Sequence, residues 1–255
     1  MDLVCLRYPL VIAHRGYSSQ RPENTLIAFE KAIQSNAPMI EFDVTLTRDR
    51  KVVVIHDETL DRTTSGHGLV ADHSLAELKG LDAGSWFSKR FSGETIPTLA
   101  EALAAIDGRA AVNIEIKPEA VEAHHPDDAV ERQIRRLLEH RGGWGDILVS
   151  SFDIRVLAEL ARTPSPPALG YLTDGGDDDT IFDACQSIGA FSWNAHYRDL
   201  TRLRIEKAHT LELRVLAYTV NDPRDMAALF RMGVDGIFTD DPEVARTTLS
   251  AMQGF

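Results

Sequence analysis

Short apolar runs rich in β-branched residues alternate along this chain with longer stretches whose apolar positions recur at helical spacing, and eight such pairs can be counted. Alternation of this kind predicts a parallel sheet whose strands are joined by crossover helices. The strands fall at residues 10–14, 39–43, 112–117, 147–150, 168–171, 190–194, 213–218 and 235–239. Eight repeats within 255 residues match an α/β fold of the TIM (β/α)8 barrel kind, so one domain over residues 1–255 is expected.

Local signals place several helix starts. After Asn24, the side chains of Leu26, Phe29 and Ile33 form one apolar stripe. Thr98 and Glu101 have the spacing of a capping box behind Pro97. Asp222-Pro223 and Asp241-Pro242 each set a capping carboxylate before a proline at the first helical position. One run breaks the alternation: residues 52–55 read as a strand, yet only a few residues around Arg48-Asp49-Arg50 separate them from strand two. A parallel crossover needs a dozen or more residues, so this run is expected to return antiparallel as a hairpin and to carry His56 back to the top of strand two. Residues 44–97 are therefore read as a hairpin and cap insertion before helix two, with a small capped helix at residues 74–79.

Strands of a parallel barrel are buried on both faces and normally read as continuous apolar runs. Strands two and three do not: they are Met39-Ile40-Glu41-Phe42-Asp43 and Asn113-Ile114-Glu115-Ile116-Lys117. Residues two apart share a face, so Glu41 and Asp43, and Asn113, Glu115 and Lys117, point one way and the intervening apolar residues the other. The charged sets must line the barrel mouth. Three carboxylates buried side by side cost several kcal/mol apiece unless their charge is cancelled, and one divalent cation with oxygen ligands, Mg²⁺ or Ca²⁺, is the natural agent. The alternative is that Lys117 and Arg15 neutralise the acids in an ion-pair network. His14 closes strand one and His56 arrives by the hairpin. Either can be structural, but together they fit the acid and base that cleavage of a phosphodiester requires. Arg15 and Lys117 then suit the non-bridging phosphate oxygens, and the helix start near Asn24 offers further N–H donors for an anion.

Acidic residues outnumber basic ones by 39 to 27, a net charge of -12. That excludes partners bound by neutralising phosphates, so neither nucleic acid nor a membrane surface is expected. Cys5 and Cys185 read as two reduced thiols, which points to the cytoplasm. The amino-terminal apolar stretch is broken by Arg7 and Pro9, and no run of about 18 apolar residues exists. The acidic run from Asp174 to Asp179 reads as a solvated helix start, and His67, His73, His124 and His125 as surface residues. Trp86, Phe152, Phe191 and Trp193 are divided between packing and a pocket for an alcohol.

The ordered series His14-Arg15-Gly16, Pro22-Glu23-Asn24-Thr25, Glu41-Phe42-Asp43-Val44, His56-Asp57, Arg62-Thr63-Thr64, Pro97-Thr98-Leu99 and Asn113-Ile114-Glu115-Ile116-Lys117 resembles the motifs of glycerophosphodiester phosphodiesterases. The stretch from Leu81 to Phe87 is similar to that of the cytoplasmic bacterial branch. The resemblance implies a barrel of the phospholipase-C-like phosphodiesterase type and a small-molecule glycerophosphodiester substrate cut to sn-glycerol 3-phosphate and an alcohol. It also implies His14 and His56 as the catalytic pair, Glu41, Asp43 and Glu115 as metal ligands, and Arg15 and Lys117 as phosphate contacts. Where that family often carries Trp before Thr-Val-Asn, this chain has Tyr218. Hydrolysis of lyso lipids and mere binding of phosphorylated polyols stand as rival readings, and the alcohol side of the substrate is expected to be loosely selected.

Overall fold

The computed structural model describes residues 2–253. Its strands are β1 (Leu10–Ala13), β2 (Met39–Leu46), β3 (Val52–Val54), β4 (Ala111–Ile116), β5 (Ile147–Ser151), β6 (Ala168–Thr173), β7 (Ser192–His196), β8 (Arg214–Tyr218) and β9 (Gly236–Thr239). All except β3 run parallel. Because β1 pairs with both β2 and β9, these eight close into a barrel. The helices are α1 (Leu26–Gln34), α2 (Leu75–Leu78), α3 (Leu99–Ile106), α4 (Val130–Arg141), α5 (Ile154–Ala161), α6 (Asp178–Ser187), α7 (Arg202–Thr210), α8 (Pro223–Met232) and α9 (Pro242–Gln253). None of them is long and apolar enough to cross a membrane.

The two faces of each strand do different work. Ile40, Phe42, Val44, Ile114 and Ile116 face outward into a layer shared with Phe29 and Ala32 of α1 and Leu99 and Leu103 of α3. The Phe29 and Phe42 rings lie 5.4 Å apart there. Each such fully buried side chain stabilises the fold by about 1.5–3 kcal/mol, which is what clamps the helices to the barrel. Inside, Ile12, Met39, Ala111, Leu148, Leu216 and Phe238 fill the lower barrel. Two residues further along the same strand faces stand His14, Glu41, Asn113, Ser150, Tyr218 and Asp240. The interior is therefore apolar at the bottom and polar at the mouth, and the period of two carries one into the other.

The expected hairpin is present, with β3 antiparallel to β2 through Val44–Val54, Thr45–Val53 and Leu46–Val52. Strand two runs three residues further than its apolar pattern suggested because this pairing continues it. Beyond β3, Leu60, Val70, Leu78, Ala83 and Ile96 gather over Val53 and Ile55 in a small apolar cluster of their own. Ser74 and Glu77 form a capping box on α2, and Thr98 and Glu101 another on α3. The caps expected from Asp222 and Asp241 also form, on the Arg224 and Val244 N–H groups.

The position of β7 differs from expectation. It lies two residues later than residues 190–194, because the turn out of α6 extends through Gly189, at φ +61°, and Ala190, whose N–H returns to the Cys185 carbonyl. The shift puts His196 at the top of the strand.

Gly16 ties the first loop to α1. It has φ +81°, and a Cβ there would lie 2.8 Å from the carbonyl carbon of Ala28, while the Tyr17 N–H donates to the Ala28 oxygen at 3.0 Å. Gly16→Ala is therefore expected to cost about 1–3 kcal/mol through backbone strain, with more from the contact itself. Urea unfolding measures it directly; an unchanged midpoint would mean that α1 moves aside freely.

Candidate active site

Glu41 and Asp43 rise from β2 and Glu115 from β4, with Glu41 opposite Asn113 and Asp43 opposite Glu115. Parallel register thus brings three carboxylates together, with one oxygen from each within 4.8 Å of the others. Glu41 and Asp43 are both 1% exposed.

Their compensation is unequal. Asp43 holds Arg15 Nε at 3.3 Å and Lys117 Nζ at 3.5 Å, and Asn24 donates to its Oδ2 at 2.9 Å. Burial alone would raise the Asp43 carboxyl, but the Arg15 and Lys117 charges outweigh it and hold the pKa at about 2. Glu115 has Lys117 Nζ at 3.0 Å, yet burial and the neighbouring Asp43 push it up to about 7. Glu41 rises well above the usual carboxylate range, through burial and then through Asp43 and Glu115. Its Oε2 accepts the Arg15 N–H at 2.8 Å, while its Oε1 is buried without a partner. The ion-pair network anticipated as an alternative does exist, but it satisfies Asp43 and leaves Glu41 uncompensated. The three acids can accommodate a cation in addition to Arg15 and Lys117.

The helix start expected near Asn24 follows it directly. Thr25 caps α1, and Asn24, at φ +57°, has its amide on Asp43. The Arg15 guanidinium is held from the other side by Glu23 at 2.8 Å, and Glu23 by Arg62 at 2.7 Å. Arg62 also grips Asp57 at 2.6 Å, so the segment above the barrel is linked by charge to the site below.

Both expected histidines reach the mouth. His14 Nδ1 lies 2.7 Å from Asp240 Oδ1, and His56 Nδ1 lies 2.7 Å from Asp57 Oδ1. Each ring is thereby fixed at one nitrogen with the other free for chemistry. Burial, aided by Arg15 and Lys117, lowers the His56 pKa and keeps that ring neutral near pH 7. The Asp240 carboxyl is buried, which would raise it, but bonds from His14, Asn221 and Ser18 bring it to about 2. Asp240 and the positioning role of Asp57 were not foreseen. The signal for Asp240 was its place at the top of the last strand, immediately after Thr239.

These groups share a cavity of about 330 Å³ whose lining includes His14, Arg15, Glu41, His56, Glu115 and Lys117. Phe152 and Tyr218 form its far wall, so an aromatic surface is kept where Tyr218 replaces Trp. Trp193 is fully buried against Phe182 and Phe191 joins the lower barrel, while Trp86, outside the lining of this cavity, is 39% exposed with its indole donating to the Ala83 carbonyl. His196, unforeseen because β7 was placed too early, also lines the cavity. The acidic run is a solvated helix start as expected: Asp177 caps α6, and Asp174 is exposed, standing beside His196 and Asp199. His125 differs from the expected surface residue: its Nδ1 meets Glu131, which is 1% exposed, at 2.8 Å.

Comparison with known proteins agrees with this geometry. A model of the Glycerophosphoryl diester phosphodiesterase family matches residues 14–244. A glycerophosphodiester phosphodiesterase of Caldanaerobacter subterraneus subsp. tengcongensis is 39% identical over 235 residues, which cover 92% of this chain and 95% of that one. Among solved structures, an Oleispira antarctica phosphodiesterase in complex with the product sn-glycerol-3-phosphate superposes with a TM-score of 0.87 at 31% identity, covering 95% of this chain and 97% of that one. The glycerophosphodiester phosphodiesterase of Thermotoga maritima gives 0.75 at 27%, covering 95% and 99%. With a polar barrel mouth built on the same frame and a match along nearly its whole length, this chain belongs to the glycerophosphoryl diester phosphodiesterase family of hydrolytic enzymes.

Proposed function

We propose that this protein hydrolyses glycerophosphodiesters to sn-glycerol 3-phosphate and an alcohol, using one divalent cation, Mg²⁺ or Ca²⁺, held by Glu41, Asp43 and Glu115. Glu41 is the observation that carries the reading: a carboxylate buried beside two others, with one oxygen unpartnered, is costly unless a further positive charge belongs there. When bound, the ion supplies polarisation of a phosphoryl oxygen and neutralisation of the acids. The product complex of the Oleispira antarctica relative supports sn-glycerol 3-phosphate as the product.

The chain's own residues do the remainder. Arg15 and Lys117 stand beside the acids and face the cavity, where their charges hold the two non-bridging oxygens and oppose the charge that grows on them. His56 is neutral and can take a proton from an attacking water, or from the neighbouring glycerol hydroxyl with water then opening the cyclic phosphate; His14, held by Asp240, hands one to the departing alkoxide. Asp57 and Asp240 position the two rings, and Arg62 keeps Asp57 ionised.

His14→Ala and His56→Ala are each expected to lower kcat on glycerophosphocholine by at least about 10²-fold, the size of a general acid or base contribution, with little change in melting temperature. Near-normal turnover by either variant removes that histidine from the chemistry.

The acids also make a pH prediction. A carboxyl whose folded pKa lies above its unfolded value stabilises the fold below the unfolded value, and that stability is lost as pH rises through the folded one. For Glu115 the window runs from 4.5 to about 7, and Glu41 shifts the same way. Asp43 is opposite in sign: its contribution is present above 3.8 and is lost as pH falls through about 2. Chelator-treated protein should therefore melt lower at pH 7.5 than at pH 5, and added Mg²⁺ or Ca²⁺ should raise the melting temperature more at the higher pH. Glu115→Gln should flatten the difference. Equal metal-induced shifts at both pH values, together with full activity of that variant, would refute the metal assignment.

A further inference from the structure

The cavity has two unlike halves. Around β1, β2 and β4 it carries Arg15 and Lys117 with the acids. Around β5 to β8 its lining is Ser150, Phe152, Leu172, His196, Tyr218 and Thr219, with no Lys or Arg. The Phe152 ring meets Tyr218 edge-on, 5.8 Å between centroids and 87° between planes, and His196 meets Tyr218 at 5.9 Å and 77°. The Tyr218 hydroxyl donates to the Thr173 carbonyl at 2.8 Å, which fixes the ring against rotation out of the wall. Phe152 is 36% exposed, so this is an aromatic surface open to a ligand.

Beside His196 stand two carboxylates that, among the described residues, are paired with no Lys or Arg. Asp174 and Asp199, with His196, bring side-chain atoms within 4.8 Å of one another. Asp199 accepts the Gly175 N–H at 2.7 Å, and among the described residues neither acid is in an ion pair. The nearby arginines are otherwise engaged: Arg204 bonds to Asp178 and reaches Asp199 only at its backbone carbonyl, and Arg198 lies over the Tyr197 ring. Burial raises the Tyr218 hydroxyl pKa, and Asp174, Glu115 and Asp199 raise it further, so the ring sits within reach of all three charges. π-faces beside uncompensated carboxylates suit a large, weakly hydrated cation whose charge is spread over its methyl groups.

We propose that this corner is the subsite of the departing alcohol, and that it selects alcohols bearing an alkylammonium group, choline above ethanolamine and both above uncharged glycerol. The assignment rests on the reaction proposed above and narrows the loose selection expected from sequence alone. Phe152, His196 and Tyr218 supply the walls, and Asp174 and Asp199 the field. Glu115, which Tyr218 also feels, marks where this subsite meets the phosphate-binding half.

The test compares kcat/KM for glycerophosphocholine and glycerophosphoglycerol at fixed ionic strength in wild type, in the Asp174→Asn/Asp199→Asn double variant and in Tyr218→Leu. Calorimetric titration of choline chloride provides a readout independent of turnover. Wild type should favour the choline ester by about tenfold, the scale of one desolvated cation–π contact, and mainly through KM. The ratio should fall to within about twofold in the double variant, with an unchanged melting temperature showing that the half-buried Asp199 substitution leaves the fold intact, and choline binding should weaken by a similar factor. Equal use of the two esters by wild type, or a preference that survives the double variant, overturns the subsite. A preference that appears only when Zn²⁺ or Mn²⁺ is added reassigns the three polar side chains to a metal ion and also overturns it. Choline binding that weakens as expected, in a protein that turns over neither ester, would uphold the cation site and strike instead at the reaction.

Discussion

Three carboxylates in a dry barrel mouth are the constraint around which the site is arranged. Like charges this close, cut off from water, repel by several kcal/mol unless each is met by a positive charge or a donor. Arg15 and Lys117 answer for Asp43. Arg15 meets it from the tight turn after β1, at φ +55° next to Gly16 at φ +81°. Asn24, just ahead of the Thr25 cap of α1, gives its side-chain amide to the same carboxylate. Glu23 and Arg62 then hold Arg15 and Asp57 in place from above. What this arrangement does not answer for is Glu41, and that imbalance points to a cation as a working part of the site.

Much of this was legible in the chain. Glu41-Phe42-Asp43 and Asn113 to Lys117 stood out because a strand buried on both faces should not contain charge, and the period of two placed all the acids on one side. The hairpin was legible from loop length alone. His196 was not, because the register of β7 depends on where the turn after α6 ends, and Gly189-Ala190 prolong that turn through a backbone bond to Cys185. Asp240 was overshadowed by its neighbour: in Thr239-Asp240-Asp241-Pro242 the second aspartate is a clear helix cap, and only the period of two counted on from Phe238 sets the first at the mouth. The His125–Glu131 pair joins a loop to a buried helix face, a contact that no spacing rule encodes.

The division of the cavity has an electrostatic logic. The phosphodiester of the proposed substrate carries one negative charge, and Arg15 and Lys117 line the cavity next to β1 and β4; the opposite half is lined by rings, with Asp174 and Asp199 beside His196. On that reading the two ends of the substrate meet opposite fields, which favours one orientation. The chain's net charge of -12 would act in the same sense on a cationic head group, with Arg15 and Lys117 receiving the phosphate locally.

The closure of the barrel carries a temporal consequence. His14 takes its orientation from Asp240, 226 residues later, and Asp240 is in position only when β9 has paired with β1. The first strand and the last therefore complete the centre together. Without β9, β1 still has its pairing with β2, but His14 lacks the Asp240 carboxylate. On the roles proposed for His14 and Asp240, hydrolytic competence therefore waits for β9 to pair with β1 and close the barrel.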